Sequence, residues 1–167
     1  MNKKIKFKNN SLENFSLNLW DDEIKVGLTG SFLCAKHFGY QMKRNKKNGV
    51  IINIGSELSV VAPDQRIYKK NFFKPVTYSV IKHGIIGLTK YLSTYWAEHG
   101  IRCNALSPGG IFNNQDKKFL RNFKKLVPLN RMANQDEYNS AIQFLCSDAS
   151  KFLNGHNLII DGGRSIW

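Results

Sequence analysis

Three short apolar runs, each closed by a turn of Gly, Ser or Pro residues, constrain this chain more than any other feature. Asn48-Gly49 breaks the chain before Val50-Ile51-Ile52-Asn53-Ile54, which ends in Gly55-Ser56. Ile101 to Leu106 follows a break at Gly100 and runs into Ser107-Pro108-Gly109-Gly110. Asn157 to Ile160 ends in Asp161-Gly162-Gly163. Runs this short, bounded by turn residues, read as strands buried on both faces. Helical stretches separate them. Trp20 to about Arg44 carries Asp21 and Asp22 at its start and Lys43 and Arg44 at its end, with Ile24, Leu28, Phe32 and Ala35 spaced as a buried stripe. Tyr78 to His99 is a second helix, closed by Gly100 in the C-terminal capping position. Asn134 or Asp136 caps a third helix running to about Cys146. Helices alternating with apolar strands predict an α/β fold built on a parallel sheet.

The 167 residues show no repeat and no linker, which predicts a single domain over 1–167 with residues 1–18 irregular. No stretch reaches the roughly 18 to 20 apolar residues of a membrane span. The Lys-rich start is followed by polar SLENFSLN rather than an apolar signal core. The expectation is a soluble, cytoplasmic protein with no membrane partner. Cys34, Cys103 and Cys146 lack disulfide or metal-ligand spacing, so no metal is expected. A net charge of +13 would suit a polyanion, but the basic residues fall in scattered clusters, and 42% hydrophobic content fits an ordinary globular core. No nucleic-acid-binding motif accompanies them, so nucleic acid is an unfavoured partner and a phosphorylated or nucleotide-linked substrate a better one.

Tyr78-Ser79-Val80-Ile81-Lys82 places a phenol and an ammonium on one helix face. A neighbouring ammonium favours the phenolate, and a Tyr so tuned serves as general acid or base on an alcohol or carbonyl oxygen. Chance alone supplies on the order of one such pair in a chain this rich in Lys, so the pair gains meaning only from its surroundings. Ser56 sits at the carboxyl end of one strand and Ser107-Pro108-Gly109-Gly110-Ile111 at the end of another, where open α/β sheets bind ligands. Between them, residues 59–77 form a long loop with a basic, aromatic centre, and residues 111–133 read as a polar excursion over a site.

Taken in order, strand-Gly-Ser, Tyr-x-x-x-Lys, Ile-Arg-Cys-Asn-Ala-Leu-Ser-Pro-Gly-Gly and Leu-Ile-Ile-Asp-Gly-Gly resemble the short-chain dehydrogenase/reductase family over residues 15–167. The resemblance implies a Rossmann-like parallel sheet and an oxidoreductase that interconverts an alcohol and a ketone with NAD or NADP. It implies Tyr78 as proton donor or acceptor, and Lys82 as its modulator and a holder of the nicotinamide ribose. Ser56 would bond the substrate oxygen. Pro108, Gly109 and Ile111 would line the nicotinamide side, with the Ile111 backbone meeting the carboxamide. Residues 112–132 would cover the substrate, and helices 20–44 and 78–99 would pair two copies into a homo-oligomer.

Two departures stand out. The family's opening strand and Gly-rich pyrophosphate turn find no counterpart, so the expectation is the carboxyl-terminal two-thirds of such a domain, lacking its first four strands. Gly27 stands where the family usually has an Asn that supports proton relay to the Lys, and mid-helix Gly costs about 1 kcal/mol relative to Ala. The alternative to an enzyme is therefore an inactive, amino-terminally truncated fragment acting as an interaction module. The segment Ala62–Tyr68 and the ending Gly162-Gly163-Arg164-Ser165-Ile166-Trp167 are similar to flagellin-modification oxidoreductases of nonulosonic acid pathways. Arg66, Lys69, Lys70 and Lys74 would suit an anionic sugar substrate there.

Overall fold

The computed structural model describes residues 11–45 and 48–167. Three strands, β1 (Gly49–Ile54), β2 (Ile101–Pro108) and β3 (Asn157–Ile160), form a parallel sheet in the order β1-β2-β3. The registers Ile54↔Leu106 and Pro108↔Ile160 bring the carboxyl ends of all three to one edge. This is the α/β, partial Rossmann-like arrangement expected from the alternating pattern. β2 is central and almost wholly buried, whereas β1 is half-buried and its last residue, Ile54, is exposed. Strand 50–54 is therefore not covered on both faces as its apolar run suggested. It forms one edge of the described sheet.

The first helical region starts earlier than Trp20. Ser16 accepts from the Leu19 N–H at 3.2 Å and caps α1 (Leu17–Ile24). Part of the segment read as irregular is thus helical, and Leu12–Asn14 forms one 3-10 turn, while residues 1–10 lie outside the described residues. α1 continues through a π turn, Lys25–Thr29, into α2 (Gly30–Arg44). Gly27 lies in that wide turn, where its carbonyl accepts the Ser31 hydroxyl at 2.8 Å. A Cβ on Gly27 would stand 2.9 Å from the Ile81 side chain, so glycine here permits close approach to α3 (Val76–Tyr95). The proposed stripe of Ile24, Leu28, Phe32 and Ala35 is only partly correct. Ala35 is buried, Ile24 and Leu28 are half-buried, and Phe32 is exposed. The π turn adds one residue to the helical repeat and rotates the face presented after it.

Behind the sheet, Ala35, Leu92, Trp96, Ile101 and Cys103 form one core cluster, with the Cys103 thiol pushed up to about 12 by burial. α3 ends at Tyr95, and the chain turns through Ala97–His99 to Gly100, whose φ of 68° is left-handed as a capping glycine requires. Polar groups inside β2 are satisfied across the fold. Asn104 donates to the Leu153 carbonyl at 2.9 Å and accepts from the His156 N–H at 2.9 Å. The third helical segment begins as a turn with a capping box at Asn134 and becomes α5 (Asn139–Cys146). The excursion 111–133 contains a helix that its polar composition concealed, α4 (Lys117–Lys124), capped by Asp116.

Gly39 is the closest approach in the core. A Cβ there would lie inside the Trp96 ring, which has no room to move within its cluster. Gly39→Ala is therefore expected to cost the fold about 1–3 kcal/mol in urea denaturation despite the better helix propensity of Ala.

Candidate active site

The carboxyl edge of the sheet opens into a cavity of about 380 Å³. All six residues singled out by the sequence, Ser56, Tyr78, Lys82, Pro108, Gly109 and Ile111, line it. Each arrives there for a local reason. Ser56 follows β1 directly, is buried, and accepts from the Leu58 N–H at 3.2 Å, which caps the turn Glu57–Ser59. That turn is anchored from below, because the Ser59 and Ser107 hydroxyls lie 3.2 Å apart and Ser107 donates to Asn157 Oδ1 at 2.6 Å. Three chain segments thereby meet through small polar side chains at the ends of β1, β2 and β3.

Tyr78 and Lys82 are one turn apart on α3. Lys82 Nζ donates to the Ile54 carbonyl at 2.9 Å, tying the helix to the end of β1, and stands 5.7 Å from the centre of the Tyr78 ring. Burial holds the Lys82 ammonium below the usual lysine value. A second ammonium lies closer. Lys74 Nζ sits 3.6 Å over the Tyr78 ring, and burial lowers its pKa against the opposing pull of Glu57.

Two charged lining residues, Glu57 and Arg164, escaped the sequence reading as site members, whereas Phe123 belongs to the segment expected to cover the substrate. Glu57 follows Ser56 and forms a buried ion pair with Arg164, which leaves β3 through Gly162-Gly163. Glu57 Oε2 is buried and has no hydrogen-bond partner among the described residues. Burial pushes the Glu57 carboxyl up to about 6, with the Arg164 guanidinium pulling the other way. Phe123, on α4, closes one wall and lies under the Arg164 guanidinium, 5.2 Å from ring centre to Cζ. The usable signal was position: Glu57 and Arg164 both stand just past strand ends, where side chains converge. Of the basic loop residues, only Lys74 lines the cavity. Arg66 pairs with Asp64, whose carboxyl it holds down at about 2, and Lys69 pairs with Asp116 at 3.4 Å.

The residues present fit the nicotinamide half of a dinucleotide. Lys82 and Tyr78 offer donors at the cavity wall, and the Ile111 N–H donates to no protein group among the described residues. No Gly-rich strand-to-helix turn for a pyrophosphate occurs among the described residues.

A phenol and an ammonium on one helix thus stand across the cavity from a Ser at a parallel strand's carboxyl end. The chain belongs to the short-chain dehydrogenase/reductase family: a family profile described as enoyl-(acyl carrier protein) reductase matches residues 2–165. It is 35% identical over 159 residues to a D-threitol dehydrogenase of Mycolicibacterium smegmatis, covering 92% of this chain and 57% of that protein. It superposes with a TM-score of 0.88 on a short-chain dehydrogenase from Leptospira borgpetersenii with bound NAD+, at 40% identity, covering 92% of this chain and 59% of that one. A gluconate 5-dehydrogenase from Burkholderia cenocepacia in complex with NADP and tartrate gives 0.84 at 30% identity, covering 95% and 60%. The chain thus spans somewhat over half the length of these relatives.

The Glu57 carboxyl carries a checkable consequence. Its native value of about 6 lies above the ordinary 4.5, so the folded state holds the proton more tightly than the unfolded one. Its contribution to stability is full below pH 4.5 and falls by roughly 2 kcal/mol as pH rises through 6. Urea denaturation at pH 5 and 7.5 is expected to show about 1 kcal/mol of this fall in the wild type and its loss in Glu57→Gln.

Proposed function

We propose that this chain carries the reaction centre of an oxidoreductase that interconverts a secondary alcohol and a ketone on a polyol or sugar-like substrate, with NAD or NADP. The observation that carries the reading is the meeting of Ser56, Tyr78 and Lys82 with Pro108, Gly109 and Ile111 in one cavity. The polyol and sugar-acid names among the relatives support the substrate class.

The nicotinamide, when bound, supplies the acceptor or donor of hydride. The chain's own residues do the rest. The Tyr78 oxygen, as phenolate, takes the alcohol proton in oxidation and, as the phenol, returns one to the carbonyl oxygen in reduction. Ser56, whose oxygen already accepts from Leu58, keeps its own proton free to hydrogen-bond the substrate oxygen. Lys82, fixed by the Ile54 carbonyl, places positive charge beside the phenol and presents donors to the ribose. Phe119 and Phe123 of α4 cover the cavity and reduce its water. At Gly27 no side-chain amide is available for a proton relay, and the backbone carbonyl there accepts the Ser31 hydroxyl.

The exposed aromatics Phe32, Tyr40, Tyr91 and Tyr95 flank a groove of about 580 Å³ between α2 and α3 and support pairing with a second copy through these helices. A place in flagellin or surface-sugar synthesis belongs to this proposal on the strength of the Ala62–Tyr68 segment and the Gly162–Trp167 ending. A cytoplasmic site of action goes with it, and no helix among the described residues is long and apolar enough to cross a membrane.

The test is nicotinamide reduction with a panel of polyols and sugar acids. The wild type is expected to turn over, and Tyr78→Phe to lose roughly a hundredfold or more in kcat with nucleotide binding kept. Absence of both nucleotide binding and turnover in a folded chain would overturn the reading in favour of an inactive interaction module.

A further inference from the structure

We infer that the cavity selects a substrate bearing an anionic group beside the reacting alcohol, and that Lys74 is the residue that holds this group. The inference rests on the proposed alcohol–ketone chemistry and adds to it the substrate's charge and the residue that reads it.

The argument is an accounting of positive charge around the cavity. Five cations stand on its walls or on the loop beside it, and four of them are already committed. Arg164 is paired with Glu57, and the Lys82 ammonium donates to the Ile54 carbonyl. On the loop outside, Arg66 is neutralised by Asp64 and Lys69 by Asp116. Lys74 differs from all of these. It lines the cavity, and among the described residues its Nζ has neither an ion-pair partner nor a hydrogen bond. Its backbone is pinned by the Lys74 N–H donating to Gln65 Oε1 at 2.9 Å, which fixes the root of the side chain.

A partly desolvated ammonium without a counterion is costly, and a ligand anion removes that cost. The lowering of the Lys74 pKa by burial reports the same penalty. Glu57 favours the Lys74 charge from a distance but forms no ion pair with it: one of its oxygens meets Arg164, and Oε2 has no hydrogen-bond partner among the described residues. The Lys74 position is specific as well. Lying 3.6 Å over the Tyr78 ring, it places an anion close to the oxygen that the phenol protonates, which suits a hydroxy acid or a short phosphate ester. A neutral polyol would leave the ammonium uncompensated.

Three ligands with one carbon skeleton test this on the full chain without nucleotide: glycerol, glycerate and glycerol 3-phosphate, titrated by NMR or calorimetry. The wild type is expected to bind one or both anions at least about tenfold more tightly than glycerol, the size of one charge-assisted hydrogen bond. The two anion arms distinguish a carboxylate from a phosphate substrate. Lys74→Met is expected to erase the preference by lowering the affinity for the anions toward that for glycerol. Lys74→Arg should retain it, and Lys69→Met, outside the cavity, should not affect it. Equal affinity for all three ligands, no binding of any, or a preference that survives Lys74→Met would overturn the inference. Failure of nicotinamide reduction with every alcohol, alongside a Lys74-dependent anion preference, would instead sink the oxidoreductase reading and leave the anion site standing.

Discussion

Parallel pairing of β2 with both of its neighbours is the constraint from which the site follows. Because the three strands run the same way, their carboxyl ends, separated by about fifty residues of sequence in each step, come to one edge. β2 can hold that position because it is buried along most of its length and its polar residues are paired. The hydroxyls of Ser59 and Ser107 and the amide of Asn157 then lock the strand ends together. Ser56 and Glu57 leave β1 into the cavity, Pro108 and Gly109 leave β2 into it, and Arg164 arrives from the end of β3. α3, packed behind β2, contributes Tyr78 and Lys82 from its first turns. The Lys82 bond to Ile54 joins that helix to the strand edge.

Charge is the second organising element. The cavity gathers Lys74, Lys82 and Arg164 against a single carboxylate, and each group sits where water is partly excluded. Such an arrangement works against stability, as the raised Glu57 value and the lowered Lys74 and Lys82 values indicate. Strain of this kind concentrates at functional sites, where a ligand relieves it. The scattered lysines that give the chain its high net charge are a different matter. On the loop, Lys69 meets the carboxylate of Asp116 outside the cavity.

Much of this was legible in the sequence, and the reasons differ by element. Short apolar runs ending in Gly or Ser revealed all three strands to within two residues, since turn chemistry is local. Ser56, Tyr78 and Lys82 were singled out through the order of motifs shared with the family, and strand ends and a helix face bring them to one cavity. The π turn at Lys25–Thr29 was not, as no local signal distinguishes it from α-helix, and it misplaced Phe32 on the buried stripe. Helix α4 was hidden because its single buried aromatic, Phe123, stands among five basic residues between Lys117 and Lys125. The Glu57–Arg164 pair spans 107 positions, a separation at which only the fold brings partners together.

The central claim is that the carboxyl edge of this sheet is a nicotinamide site. Its most direct test is an NADH titration of the isotopically labelled chain followed by amide chemical shifts. The account requires saturable shifts at Gly109, Gly110 and Ile111 and around Lys82, lost on Lys82→Ala. Shifts confined to the aromatic faces of α2 and α3, or none from a folded chain, would contradict it.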